Sequence, residues 1–243
     1  MLANDYPFVL LDIASHMYGE GIKQRFPQIY VRCLELDIDI TARPIQVVPS
    51  AHYICGGVLA DLWGRTSLPN LYAIGEVSCT GVHGANRLAS TSLLEGLVWG
   101  ARTAENIAAQ KTSGPLNEND VPAWDDSGLQ YDADPALVQA DMRTIRNLMW
   151  HYAGLVRSEY LLSRAIRELR HMWNEIENFY GKTRVDDGLI GLRNSVQAAL
   201  LVARSARRNT QSRGCHYRED SRSDERATTP HGDMRLEISS ELG

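Results

Sequence analysis

An arginine and several polar side chains occur where the sequence predicts the start of a helix, directly after a glycine-rich turn. The turn is Gly75–Gly84, and we expect Asn86, Arg87, Ser90 and Ser92 in the first helical turns. The unpaired N–H groups of a first turn and the helix dipole favour anions, and a guanidinium there can bind a carboxylate through two parallel hydrogen bonds. These residue types predict a site for an anionic small molecule or a cofactor edge. A strand–turn–helix unit that only packs is the alternative.

A short strand and a long helix are predicted on the two sides of this turn. The apolar run Leu71–Ile74 is too short for a helix and is bounded by Pro69 and Gly75, which favours a buried strand. The helix is predicted from Ala85 to about Gln110. Its broad apolar face consists of Leu88, Leu93, Leu94, Leu97, Val98, Ala101 and Ile107.

A histidine lies upstream between two further predicted strands, Ile45–Val48 and Gly57–Ala60. His52 is followed by Gly56-Gly57, which lets the backbone approach a flat ligand closely. Its position alone fits a ring bonded to the backbone as well as a ring that contacts a ligand. Upstream of these strands, residues 20–36 predict an amphipathic helix that Pro27 kinks or restarts.

Two long motifs resemble a known family. They are PSAHYICGGVLAD, at Pro49–Asp61, and GEVSCTGVHGANRLASTSLLEG, at Gly75–Gly96. In this order they resemble the flavoproteins of the succinate dehydrogenase/fumarate reductase superfamily. Cys55 of HYICGG and the pair Ala89-Ser90 favour the L-aspartate oxidase branch. The resemblance implies that the chain corresponds to the C-terminal half of such an enzyme, and it continues through Ser212-Arg213-Gly214.

One expected motif is missing. The superfamily carries a GxGxxG/A dinucleotide fingerprint after its first strand, and this sequence has none. The arginine that transfers a proton in this family lies upstream of the matching segment, so it is assigned to no residue here. The resemblance therefore implies that the chain alone carries only the C-terminal half of the site, and that the missing N-terminal half is its expected partner.

The implied fold class is α/β plus all-α. Local signals support the helical part. Asp134-Pro135 predicts an N-cap followed by a proline at the first helical position. Further helices are predicted near Ser158 and after Asp187. The implied domains are the end of a capping domain at 1–44, the C-terminal part of an FAD-binding domain at 45–112, a linker at 113–134, a three-helix bundle at 135–213 and a disordered tail at 214–243.

The resemblance also implies roles for individual residues. His52 and Arg87 would be the catalytic and substrate-binding pair that holds the carboxylates of the substrate, with Ser90 assisting. Glu76 would accept hydrogen bonds from the ribityl hydroxyls of FAD. The backbone N–H groups of Ser92-Leu93 would face the pyrimidine edge of the flavin, where a helix N-terminus stabilises negative charge.

The implied reaction is the FAD-dependent oxidation of L-aspartate to iminoaspartate, with oxygen or fumarate as the acceptor, which is the first step of NAD biosynthesis through quinolinate. Two alternatives stay open. One is a fumarate reductase or succinate dehydrogenase flavoprotein subunit, which shares His52 and Arg87. The other is a catalytically silent fragment that acts as an interaction module.

Composition narrows the remaining classes. A hydrophobic content of 44% and a charged content of 23% are ordinary for a globular protein, and a net charge of −5 gives no reason to expect nucleic acid or an anionic membrane as a partner. The four cysteines lack metal-ligand spacing, so we expect no metal site, and we expect Cys55 and Cys79 to pack near a ligand rather than react. The N-terminus lacks signal-peptide architecture and no apolar run has membrane-spanning length, which predicts a cytoplasmic protein.

Overall fold

The computed structural model describes residues 8–50, 52–110 and 121–221, and the chain divides into two compact units, Met1–Ile54 and Cys55–Gly243. In the first unit, strand β1 (Val9–Leu11) pairs antiparallel with strand β2 (Ile45–Val47). The buried side chains Ile22 and Ile40 lie between these strands in sequence.

Two helices replace the single helix predicted at 20–36. Helix α1 spans Gly19–Arg25 and helix α2 spans Pro27–Leu34. Phe26 separates them with a non-helical backbone (φ −131°, ψ 53°), and Pro27 occupies the first turn of α2. The proline therefore restarts the helix, because its fixed φ suits a first turn while its missing N–H cannot continue the preceding helix.

The second unit begins with a two-stranded parallel pair. Strand β3 (Val58–Leu59) pairs with strand β4 (Ser78–Cys79), so the strand predicted at Leu71–Ile74 is wrong. That segment instead folds back as one arm of a hairpin, in which Ala73 N–H donates to Gly64 O at 2.8 Å. Backbone groups of Leu71–Ile74 thus form hydrogen bonds within this hairpin. The chain reaches β4 only after a 3₁₀ turn at Gly75–Val77.

Helix α3 spans Thr91–Ala109, so the predicted start at Ala85 is wrong by six residues. Ser90 has left-handed backbone angles (φ 66°), which a right-handed helix cannot contain. The apolar face is largely exposed in this structure, with Leu93 and Leu97 each 71% accessible, whereas the buried side chains of α3 are Glu95 and Thr103. Helix α3 thus buries polar groups and exposes apolar ones.

Three long helices follow, and each begins at a capping side chain. They are α4 (Pro135–Tyr152), α5 (Glu159–Tyr180) and α6 (Asp187–Arg208). Asp134 caps α4 as predicted, and Ser158, near which the second helix is predicted to begin, caps α5. Asp186 caps α6 by accepting from Leu189 N–H at 2.7 Å.

The three helices pack against one another around a common apolar core. Its buried members are Val138, Ile145, Ala165, Leu169, Ile176, Leu192, Val196, Ala199, Leu200 and Ala203. The end of the predicted linker is fixed to the turn between α5 and α6, because Gln130 N–H donates to Lys182 O at 2.8 Å. Linker residues 113–120 lie outside the described residues.

The segment after α6 is ordered up to residue 221, so the tail predicted to be disordered from 214 is wrong for residues 214–221. Arg218 is only 4% exposed. Its guanidinium pairs with Asp220 at 2.8 Å and donates to Arg207 O at the end of α6 at 3.0 Å. This buried arginine holds the segment because its charge and its donors are satisfied there; residues 222–243 lie outside the described range.

Among the residues that the structure describes, no helix has the length and apolar character that crossing a membrane requires.

Two adjacent leucines of α6 test the helical core. Leu200 is 6% exposed and Leu201 is 64% exposed. We expect Leu200→Ala to lower the free energy of unfolding by about 2–5 kcal/mol, because it leaves a cavity in the core, and the matched Leu201→Ala to change it by less than about 0.5 kcal/mol. Urea unfolding followed by circular dichroism measures both values. Equal losses in the two variants would contradict this assignment of the core.

Candidate functional site

A buried carboxylate organises the loop that carries the predicted site residues. Glu95 lies one turn inside α3, and its side chain is only 2% exposed. Thr80 Oγ1 donates to Glu95 Oε1 at 2.6 Å, and His83 Nε2 donates to Oε2 at 2.8 Å. Arg87 Nη1 lies 3.4 Å from the same Oε2. Three side chains of one loop therefore converge on one carboxylate.

The surroundings of Glu95 favour its charged form. Burial alone raises the pKa of the Glu95 carboxyl, because it disfavours a charge. The hydrogen bonds from Thr80 and His83 and the nearby charges of His83 and Arg87 together outweigh burial, so the pKa lies below its ordinary value of 4.5. Glu95 is thus an anion in the folded protein at neutral pH.

Sequence reasoning missed Glu95 as a functional residue. It is the penultimate residue of the second motif, and its residue type gives no signal, since an acidic residue inside a helix normally faces solvent. A signal was available in hindsight: Thr80, His83 and Arg87 supply three donors in a single loop before the helix, and such a set requires an acceptor when it is buried.

Arg87 lies in the loop before α3, so its predicted place in the first turn of the helix is wrong. Its side chain is 8% exposed. Arg87 Nη1 donates to Ser92 Oγ at 3.2 Å, in addition to its contact with Glu95. The two contacts fix the guanidinium beside the N-terminus of α3, because Ser92 belongs to the first turn of that helix.

The first turn of α3 has no side-chain cap. Ser90 occupies the N-cap position, but its hydroxyl makes no capping hydrogen bond, because its left-handed backbone turns the side chain away from the usual geometry. Thr91 Oγ1 donates backwards to Leu88 O at 2.6 Å. Leu93 is largely exposed. The structure thus brings Ser92 to Arg87, whereas the hydroxyl of Ser90 does not cap the helix.

Glu76 lies at the other end of this loop region, in the 3₁₀ turn Gly75–Val77, and is exposed. Ser78 Oγ donates to Gly75 O at 2.8 Å and closes the turn. Gly75 has φ +71°, and a Cβ there would meet open space. The turn is therefore set by backbone conformation, and it carries Glu76 on the exposed side of the loop region.

His52 is exposed, and its ring packs edge-on against Tyr53 with 5.3 Å between ring centroids. It belongs to the first compact unit, whereas Arg87 belongs to the second. The convergence of His52 and Arg87 on one substrate stays a prediction.

Comparison with known proteins identifies two regions of the chain. Residues 4–93 match a family model described as FAD binding domain. Residues 142–231 match one described as Fumarate reductase flavoprotein C-term. The first match contains the loop residues Thr80, His83 and Arg87 and ends in the first turn of α3, two residues before Glu95. FAD is the cofactor that it implies. The second contains most of α4, all of α5 and α6, and the ordered segment after α6.

Individual relatives agree with these models. The L-aspartate oxidase of Yersinia pestis is 45% identical over 210 residues, which cover 86% of this chain and 39% of that protein. L-aspartate oxidase 1 of Ralstonia nicotianae is 45% identical over 212 residues, 87% of this chain and 39% of that protein. Among solved structures, the FrdA chain of E. coli quinol fumarate reductase superimposes with a TM-score of 0.71 at 27% identity, covering 93% of this chain and 42% of that chain.

The fold and the matched regions define a flavoprotein of the succinate dehydrogenase/fumarate reductase class. Within this class, the chain resembles the C-terminal part of the L-aspartate oxidases, as the two sequence motifs predict. The chain spans about 39% of the length of the curated relatives that it matches.

The role of Glu95 is tested by removing its charge while keeping its shape. We expect Glu95→Gln to lower the free energy of unfolding by about 1–3 kcal/mol at neutral pH, because an amide cannot accept from three donors as a carboxylate does. Glu105→Gln is the matched control, since Glu105 is an exposed residue of the same helix. Urea unfolding of the three proteins gives the comparison.

The difference in free energy of unfolding between wild type and Glu95→Gln should also depend on pH. The folded-state pKa of Glu95 is lowered, so its contribution to stability is complete above its ordinary pKa of 4.5 and is lost as the pH falls through the folded-state value. The gap between wild type and Glu95→Gln should therefore narrow below pH 4.5. A gap that stays constant, or that matches the gap for Glu105→Gln, would show that Glu95 is not the charged centre of the loop.

Proposed function

We propose that this chain carries part of the flavin and dicarboxylate site of an L-aspartate oxidase, which oxidises L-aspartate to iminoaspartate with oxygen or fumarate as the acceptor. This reaction is the first step of NAD biosynthesis through quinolinate. The observation that carries the proposal is the position of Arg87, a mostly buried cation held beside the uncapped N-terminus of α3. Both features attract a carboxylate.

Glu95 supports this role by positioning Arg87. Its short hydrogen bonds go to Thr80 and His83, whereas the Arg87 contact of 3.4 Å is at the weak end of the hydrogen-bond range. Glu95 and Ser92 thus help to hold the Arg87 guanidinium beside the N-terminus of α3, where the proposal places a substrate carboxylate. In the proposal, Ser90 adds a hydroxyl beside it, and His52 holds the second carboxylate of the dicarboxylic substrate.

The residues around α3 fit FAD as a ligand. The uncapped first turn presents the backbone N–H groups of Ser92 and Leu93, which suit the pyrimidine edge of an isoalloxazine. Glu76, exposed on its glycine-led turn, suits ribityl hydroxyls because a carboxylate only accepts hydrogen bonds. When bound, FAD supplies the electron acceptor for the oxidation. The contribution of these residues is to orient the substrate so that its α-carbon faces that acceptor.

The proposal includes the domain organisation and the location. Residues 1–44 form the end of a capping domain, 45–112 the C-terminal part of the FAD-binding domain, and 135–213 a three-helix bundle, joined by the linker at 113–134. The mutual packing of α4, α5 and α6 supports the bundle. A polypeptide equivalent to the remaining length of the relatives completes the cofactor site, and the assembled protein works in the cytoplasm.

A second candidate is the flavoprotein subunit of a fumarate reductase or succinate dehydrogenase. The similarity to the E. coli FrdA chain favours it. In this second candidate Arg87 would also bind a dicarboxylate, but the substrate would differ. The two candidates are therefore distinguished by which dicarboxylate reduces the flavin.

A chimera tests the function directly. In the chimera, this chain replaces the matching C-terminal segment of the Yersinia pestis relative. In parallel, the chain alone is treated with FAD and desalted. We expect the chimera to retain FAD, and L-aspartate to bleach its visible flavin band anaerobically. Bleaching by succinate alone would favour the second candidate. A chimera that retains FAD but responds to neither compound, or that folds without FAD, would support a silent interaction module instead.

The same chimera tests Arg87. We expect Arg87→Ala to weaken the binding of L-aspartate by about two to three powers of ten, because it removes a largely desolvated partner of a carboxylate. Arg102→Ala is the control, since Arg102 is an exposed residue of α3 that stacks on Trp99. The KM for L-aspartate and the retained FAD are measured together. An unchanged KM at full FAD content would remove Arg87 from the substrate site.

A further inference from the structure

Two cysteines that are far apart in sequence meet in the second unit. Cys55 Sγ and Cys215 Sγ lie 3.2 Å apart, although 160 residues separate them. Both residues are exposed, and both are free thiols. Cys55 lies in the loop before β3, and Cys215 lies in the ordered segment after α6.

The Cys215 segment is seated on the loop that leads to Arg87. Cys215 N–H donates to Ala85 O at 3.2 Å, and Cys215 Sγ lies 3.4 Å from Asn86 Oδ1. Gly214 has φ +54°, and a Cβ there would collide with the backbone of Ala85, so this approach requires glycine. The thiol of Cys215 is therefore placed by backbone contacts rather than by its own rotamer alone.

The geometry leaves only a small movement before a covalent bond. A disulfide needs an S–S distance of about 2.05 Å, and Cys55 lies in a glycine-rich loop in which Gly56 and Gly57 both have positive φ. Burial, and then the hydrogen bond and charge of Cys55, raise the pKa of the Cys215 thiol. A raised pKa lowers the thiolate fraction of Cys215, so the first attack on a peroxide is assigned to Cys55.

We propose that Cys55 and Cys215 are a redox-sensitive pair that forms a reversible disulfide and so ties the loop before β3 to the segment after α6, which contacts the loop of Arg87. This assignment differs from the expectation that Cys55 only packs near a ligand. It does not depend on the proposed oxidase activity, because the oxidant is a peroxide that can come from any source.

The chemistry balances with hydrogen peroxide as the oxidant. The Cys55 thiolate attacks one peroxide oxygen, an S–O bond forms as the O–O bond breaks, and hydroxide leaves. The Cys215 sulfur then attacks the sulfenic sulfur of Cys55, an S–S bond forms, and the S–O bond breaks with loss of water. In sum, two thiols and one peroxide give one disulfide and two waters, and a dithiol such as dithiothreitol reverses the oxidation.

The test uses the whole chain. It is treated with a slight excess of hydrogen peroxide, quenched with catalase, alkylated and digested, and its peptides are mapped by mass spectrometry without reduction. We expect one cross-linked peptide pair containing Cys55 and Cys215, loss of two of the four titratable thiols, and recovery of all four with dithiothreitol. The melting temperature of the oxidised form should exceed that of the reduced form by roughly 5–15 °C, because the cross-link closes a long loop.

Matched variants make the result specific. Cys55→Ser and Cys215→Ser should each abolish the cross-link and the shift in melting temperature, whereas Cys33→Ser and Cys79→Ser should preserve both. Two separate variants of the pair keep the test valid if one of them folds poorly. Four unmodified thiols after peroxide treatment would overturn the proposal, and so would sulfinic acid at Cys55 without a cross-link or a disulfide between other cysteines.

Discussion

The buried charge of Glu95 is the constraint on which the candidate site depends. A carboxylate that is removed from water is costly unless donors and opposite charge replace its hydration. Here the replacements come from Thr80, His83 and Arg87, which all lie in one loop without regular secondary structure. The loop therefore has a defined conformation because the carboxylate requires one. Arg87 obtains its position from this requirement and not from a helix.

The burial pattern of α3 differs from that of the long helices that follow it. The helix directs Glu95 and Thr103 inwards, where Thr103 Oγ1 donates to Trp63 O at 2.9 Å, and it leaves Leu93 and Leu97 in solvent. Polar contacts thus hold α3 to its own unit. In α5 and α6 the apolar side chains are inside instead, so these helices depend on the hydrophobic effect and α3 depends on specific hydrogen bonds.

The sequence predicts the parts of this structure that local chemistry decides. The cap at Asp134, the start of a helix near Ser158 and the break at Pro27 each depend on neighbours within one turn, and all three are observed. The start of α3 was predicted too early because the left-handed backbone of Ser90 has no signature in residue type. The strand at Leu71–Ile74 was wrong because a short apolar run fits a hairpin arm as well as a strand.

Contacts between segments that are distant in sequence could not be predicted, because they depend on the tertiary fold and not on neighbours within one turn. The family motifs located Arg87 and Ser92, but the role of Glu95 depends on how a loop folds over a helix. The order of residues 214–221 depends on burial of Arg218 against α6, which a charged composition cannot indicate.

The contact between Gly214 and Ala85 gives a structural reason for the family resemblance at Ser212-Arg213-Gly214. Gly214 lies where any side chain would strike Ala85, two residues before Arg87. The loop of Arg87 is thus held from two directions, by Glu95 of α3 and by the segment that follows α6. The first anchor acts through charge and the second through close backbone contact, so neither replaces the other. A helical region that contributes no substrate contact in the proposal still shapes the site, because its C-terminal segment is one of the two supports of the arginine.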